Sequence, residues 1–131
     1  MIVLDASAAL ELLLQTPLGI RIADRALAVE ESLHAPHLLD IEVTQVLRRY
    51  ALAGELSAER AEQGLDDFTS LPLTRYAHGD LLSRVWDLRD SLTAYDAVYV
   101  ALAEALEAPL LTTDRKLARA HGHGARIELM S

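Results

Sequence analysis

Five short apolar runs, separated by stretches of helical periodicity, constrain this chain more than any other feature. Ile2-Val3-Leu4 ends in Asp5, and the strong helix formers from Ala6 to Leu14 follow at once, so the chain opens as strand, turn and helix. A second amphipathic helix is predicted from about Leu18 to Ser32, and Leu33-His34-Ala35 before Pro36 reads as a weak second strand. Leu38 to Ala53 has helical spacing and is closed by Gly54, while Ser57 reads as the N-cap of a helix reaching about Phe68. Leu71 to Thr74 is a third strand whose proline favours an edge or a strand end. His78 to Asp90 and Thr93 to Leu106 read as helices, Pro109 to Thr112 as a strand, Asp114 to Ala120 as a short helix and Ile127 to Leu129 as a last strand. Strands alternating with helices predict an α/β fold, a parallel sheet covered on both faces by helices. The 131 residues suit one compact domain, residues 1–131, with no repeat, linker or low-complexity segment.

Cysteine is absent, so disulfides, thiolate metal sites and a cysteine nucleophile are excluded. Any metal site must use oxygen or histidine ligands. Met1 leads straight into the first apolar run with no basic segment or long apolar stretch before it, so a cytoplasmic protein without a secretory signal is expected. The nearly uncharged stretch from Leu92 to Ala103 is interrupted by Asp96 and falls short of the ~20 residues a membrane span needs. Acidic residues outnumber basic ones 20 to 12, a net charge of −8, which excludes a general phosphate-neutralising surface. A nucleic-acid enzyme of this charge needs metal ions or local arginines at its site.

In open parallel sheets ligands sit beyond the carboxyl ends of the strands, where the strand order reverses. Asp5 ends the first strand and Asp114 follows the fourth, so both belong to that face. Each also precedes a helix and could simply cap it. On these residues alone, capping and catalysis stay open.

Glu42 is more informative, because on a helical wheel it falls beside Leu38, Leu39, Val46 and Tyr50, the apolar stripe of its helix. An ionised carboxylate turned inward needs a cation, hydrogen bonds or a proton. A salt bridge to Arg48 or Arg49 is the structural alternative. Asp96 repeats the pattern, in line with Val100 and Ala103 on a helix that is apolar almost all round. It also occupies the first turn, where the helix dipole favours an anion. Four acids that converge without a basic neighbour other than Lys116 repel one another, and hard divalent cations are the natural counter-charge. Mg²⁺ and Mn²⁺ prefer carboxylate and water oxygens, so a few Asp and Glu side chains suffice. His121 and His123 in a glycine-rich loop read as solvated residues, His34 and His37 flank Pro36 at a strand-to-helix turn, and Ser7 lacks partners for a nucleophilic triad.

Four motifs in order carry a resemblance: Val3-Leu4-Asp5-Ala6-Ser7; Pro36 and Glu42 with Val46-Leu47-Arg48; Leu92-Thr93-Ala94-Tyr95-Asp96-Ala97 continuing to Tyr99 and Ala101-Leu102-Ala103; and Leu111-Thr112-Thr113-Asp114 with Leu117. The chain resembles the PIN-domain ribonucleases, specifically the VapC toxins of bacterial VapBC toxin–antitoxin modules, from Ile2 to Leu129. The resemblance implies a three-layer α/β/α sandwich with a central parallel, mainly five-stranded sheet. It implies Asp5 and Asp96 as principal Mg²⁺ ligands, Mn²⁺ being able to substitute, Glu42 and Asp114 completing the acidic catalytic site, and Ser7 and Thr112 as supporting hydrogen-bonders. It further implies a homodimer, cleavage of RNA such as tRNA or rRNA, and restraint by a cognate VapB-like antitoxin.

Three other readings are distinguishable. A housekeeping PIN-domain RNA-processing nuclease would share the site and lack an antitoxin. A Mg²⁺-binding receiver domain has similar length and a parallel sheet, but the strand from Leu71 to Thr74 ends without a phospho-accepting Asp. A pure protein-binding module would use the helix from Leu18 and the Arg48-Arg49-Tyr50 region, whose apolar positions core packing explains equally well.

Overall fold

A computed structural model describes residues 1–131. Five parallel strands form the sheet: β1 (Ile2–Leu4), β2 (Leu33–Pro36), β3 (Leu73–Tyr76), β4 (Leu110–Thr112) and β5 (Ile127–Leu129). Their spatial order is β3-β2-β1-β4-β5. The chain runs outward from β1 through β2 to β3 and then returns to the other side of β1, so the order reverses between β1 and β4. Val3 faces Leu110 and Leu4 faces Leu111 across that junction, which sets Asp5 beside Thr112.

Seven helices cover the sheet: α1 (Ala6–Leu14), α2 (Pro17–Ala26), α3 (Leu38–Leu52), α4 (Ala58–Ser70), α5 (Leu82–Asp87), α6 (Ala94–Leu106) and α7 (Arg115–Arg119). Helix contacts fall in two sets, α1 with α2, α3 and α4, and α6 with α5, and the sheet completes a three-layer α/β/α sandwich. The central strands β1 and β4 are fully buried, as are Ala97 to Ala103 of α6, so the core is built on the strand pair that brackets the reversal. Side-chain caps start five helices, with Asp5, Thr16, Ser57, Thr93 and Asp114 each accepting a backbone N–H of its first turn. Between α1 and α2 the approach is close at Gly19, where a Cβ would come within 1.8 Å of the Glu11 carbonyl oxygen.

Three boundaries differ from the sequence reading. The helix expected to reach Ser32 ends at Ala26, and Glu31 N–H returns to the Ala28 carbonyl in a turn held by the Arg25–Glu31 ion pair. Leu27 and Val29 lie exposed there, so no burial rewards another helical turn. The third strand is shifted to Leu73–Tyr76, because Pro72 has no N–H to give the ladder and pairing with β2 starts at Leu33 opposite Leu73. It is an edge strand, as the proline suggested. The helix expected from His78 to Asp90 is a 3₁₀ turn (Gly79–Leu81) followed by the short α5; no side chain caps it, and Leu88 N–H is shared between the Arg84 and Val85 carbonyls where it stops.

Candidate active site

The carboxyl ends of β1 and β4 deliver Asp5 and Thr112 side by side, and a hydrogen-bonded ring ties the two strand ends together. Ser7 Oγ donates to Asp5 Oδ1 at 2.6 Å and accepts the Thr113 N–H at 3.0 Å. Thr112 Oγ1 donates to Asp5 Oδ2 at 2.5 Å and accepts the Asp114 N–H at 3.0 Å. Asp5 Oδ1 also accepts the Ala8 N–H at 3.0 Å. Asp5 therefore caps α1, one of the two roles the sequence left open, while its carboxylate stands at the carboxyl end of β1 where the strand order reverses.

Asp114 likewise caps α7 through Oδ1, which accepts from Lys116 N–H at 2.8 Å and more weakly from Leu117 N–H. Its Oδ2 is free. Glu42, half-buried on the first turns of α3, makes no ion pair with Arg48 or Arg49. Its Oε1 instead accepts the Tyr99 hydroxyl at 2.5 Å, and Oε2 has no partner. Asp96 sits in the first turn of α6, its N–H capped by Thr93 Oγ1 at 3.2 Å and its carboxylate in no ion pair, with the Thr93 side chain beside it as a polar neighbour. Tyr99, one helical turn after Asp96 and almost wholly buried, is a site residue that sequence reasoning did not single out. Its signal was a hydroxyl three residues from an inward acid on an otherwise apolar helix.

The electrostatics show that the acids feel one another. Burial pushes the Asp5 carboxyl above the ordinary carboxylate range; the bonds from Ser7, Thr112 and Ala8 oppose the rise and Asp114 adds to it. Burial also raises Glu42, against the Tyr99 hydrogen bond, with Asp96 and Asp5 raising it further. Asp96 is raised by burial and then by Asp114, with Thr93 opposing. Burial raises the Tyr99 phenol too, helped by its bond to Glu42, so it remains a donor. The ion pairs of the chain, among Met1, Arg25, Glu31, Asp40, Arg75, Arg84, Glu104 and Glu128, include none of the four acids.

This donor set fits a hard divalent cation: unpaired carboxylate oxygens on Asp96, Glu42 and Asp114, a doubly anchored Asp5, and no basic group among them. No three of the acids stand close enough to form a ready cage. Mg²⁺ keeps several of its waters, so it needs few direct carboxylates and bridges the remaining gaps through water. The histidines play other parts. His123 accepts Ala125 N–H on Nδ1 and turns Nε2 to the Ala120 carbonyl, shaping its loop. His34 is buried in β2 between Ser32 and Tyr76 hydroxyls.

The PIN-domain family matches residues 2–122. Ribonuclease VapC12 of Mycobacterium tuberculosis is 43% identical over 131 residues, covering 100% of both chains. Ribonuclease VapC1 of the same organism is 48% identical over 107 residues, 81% of this chain and 80% of its own. Among solved structures, VapBC2 from Rickettsia felis, bound to a DNA fragment from its promoter, superposes with a TM-score of 0.75 at 17% identity over 100% of both chains.

Proposed function

The chain belongs to the PIN-domain family, as a ribonuclease of its VapC group, and from that premise we propose that it cleaves RNA in the crevice floored by Asp5, Glu42, Asp96 and Asp114. One observation carries the site assignment: at the strand-order reversal Asp5, Glu42 and Asp96 have their proton affinities raised, first by burial and then by neighbouring acids of the set, Asp114 among them, with no ion pair to any cation of the chain. Acids held together against their own repulsion serve to hold an ion.

Asp5 and Asp96 are the principal ligands in this reading, with Glu42 and Asp114 completing the set. A bound Mg²⁺, or Mn²⁺ in its place, would supply a Lewis acid toward the scissile phosphate and a local positive field in a chain of net charge −8. Ser7, Thr112 and the start of α1 fix both oxygens of Asp5, so its orientation is set before substrate arrives. Tyr99 fixes one oxygen of Glu42 and leaves the other unpaired. The unpaired oxygen of Glu42 is the group available to accept a proton as water attacks phosphorus in line. The bond from phosphorus to the 3′ oxygen breaks, and that oxygen takes a proton from solvent water, leaving a 3′-hydroxyl and a 5′-phosphate.

The whole chain acts as one such domain in this proposal, homodimeric and cytoplasmic; no helix is long and apolar enough to cross a membrane. It is the toxin of a two-protein module restrained by a cognate VapB-like antitoxin, a reading supported by the VapC character of its relatives and by the VapBC likeness of its fold. Its substrates are structured RNAs, transfer or ribosomal. The test is to sequence RNA ends after brief induction of the wild type beside Asp5→Asn and Asp96→Asn. New 5′-phosphate ends in the wild type alone support the assignment; equal cleavage by both variants would sink it. Growth arrest relieved by the neighbouring gene separates the toxin from a housekeeping nuclease.

A further inference from the structure

Beside Glu42 and Asp96, on the same two helices and roofed by α5, lies an apolar pocket of about 160 Å³. Leu38, Val85 and Val98 are among its walls, and Tyr95, His78 and Leu82 complete most of the rest. We propose that this pocket takes one unpaired nucleobase of the RNA substrate, next to the scissile phosphate, with Tyr95 as a stacking wall and His78 as a hydrogen-bond donor. The proposal rests on the carboxylates cutting RNA, and deepens it by assigning the residues that choose where.

Size limits the occupant first. Cavities for drug-sized ligands run to roughly 300–1,000 Å³. This one has room for a single ring system. Charge limits it next. The lining contains no acid and no Lys or Arg, so neither a phosphate nor a charged side chain finds a partner there, whereas a neutral flat ring does.

The polar groups present match a base. Tyr95 is 65% exposed, although it precedes the buried face of α6 by two residues and stands next to Asp96. A large aromatic left in solvent at the rim of an RNA-cleaving site offers its ring to an unstacked base. His78 Nε2 accepts the Leu38 N–H at 3.0 Å, so the neutral ring carries its hydrogen on Nδ1. That N–H can pair with a carbonyl or ring-nitrogen acceptor on a base edge. Both features come from the irregular segment that replaces the long helix expected after His78, and from the first turn of α6.

The full-length protein is tested on a randomised single-stranded RNA pool, with sequencing of the cleaved ends. Wild type is expected to show a base preference at one position beside the cut. Tyr95→Ala and Ala94→Phe, both at exposed positions, are expected to flatten that preference, and Tyr95→Phe to keep it. In an Asp5→Asn background, Tyr95→Ala is expected to weaken binding of the preferred oligonucleotide by about tenfold or more. Folded variants, verified by thermal melts, that keep the wild-type preference and affinity would overturn the pocket. So would variants that lose only self-association in sedimentation, which would assign it to a second copy, or only antitoxin binding. Cleavage by Asp5→Asn while the pocket variants still flatten the preference would support the pocket and sink the carboxylate assignment.

Discussion

Tyr99 donates its hydroxyl to Glu42 Oε1 at 2.5 Å, joining α6 to α3 across the carboxylate site. The two residues are 57 positions apart in sequence, and the bond aims a half-buried acid that would otherwise choose among several rotamers. Tyr99→Phe is expected to lower the cleavage rate about 10–100-fold and to raise the Mg²⁺ concentration needed for half-maximal rate, as removal of groups that orient metal ligands does. Initial rates across a Mg²⁺ titration provide the measurement. Glu42→Gln added to Tyr99→Phe should cost much less than it does alone, because the two act as one unit.

Thr112→Val removes the donor to Asp5 Oδ2 and the acceptor of Asp114 N–H while keeping the shape of a fully buried side chain. A destabilisation of about 1–3 kcal/mol is expected from the unpaired groups left behind. Cleavage should fall about 10–100-fold at temperatures where the variant remains folded. Denaturant melts and rates on one preparation separate the two effects. An unchanged rate would show that Asp5 does not need this anchor.

The raised proton affinities of Asp5, Glu42 and Asp96 fix the sign of a pH effect. In the folded chain these groups hold protons to higher pH than in the unfolded one, so stability without divalent metal falls as pH rises from about 4 through their raised values. Near neutral pH, Asp96→Asn is therefore expected to melt about 2–5 °C above the wild type, and the difference should vanish near the unfolded carboxylate range. Scanning calorimetry over a pH series in chelator tests it; a lower melting temperature for Asp96→Asn at neutral pH would contradict the repulsion.

Mg²⁺ should reverse that penalty. Ligand that binds only the folded state raises the melting temperature with concentration. Wild type is expected to show a Mg²⁺-dependent rise, and Asp5→Asn with Asp96→Asn together none.

Gly19→Ala tests the packing beneath the site. A Cβ there meets the backbone of Glu11, which cannot swing aside like a flexible side chain. A loss at or beyond the upper end of ~1–3 kcal/mol is expected, with α1 pushed from α2. A neutral thermal melt would mean that the helices separate at little cost.

Much of this molecule follows from local sequence. The apolar runs predicted the strand number, caps at Asp5, Ser57 and Asp114 start helices where expected, and the wheel position of Glu42 and Asp96 marked them as inward acids before any contact was known. These are short-range properties, set by periodicity and by backbone groups a few residues away. Boundaries that depended on tertiary surroundings were less legible: the helix after Leu18 stops at Ala26, where Leu27 and Val29 lie exposed, and the segment after His78 breaks into a 3₁₀ turn and the short, uncapped α5.

Asp5 and Asp114 show where the sequence stops and the tertiary structure takes over. By itself the sequence determined that each acid follows a strand and starts a helix, and its motifs pointed to the PIN-domain family. Only the order β3-β2-β1-β4-β5 decided that β1 and β4, more than a hundred residues apart, end side by side, so that Ser7 and Thr112 bind the same carboxylate. Only the meeting of α3 with α6 decided that Glu42 is held by Tyr99 rather than by an arginine of its own helix. Strand order and helix packing are set by the summed burial of the whole core, which no local window contains.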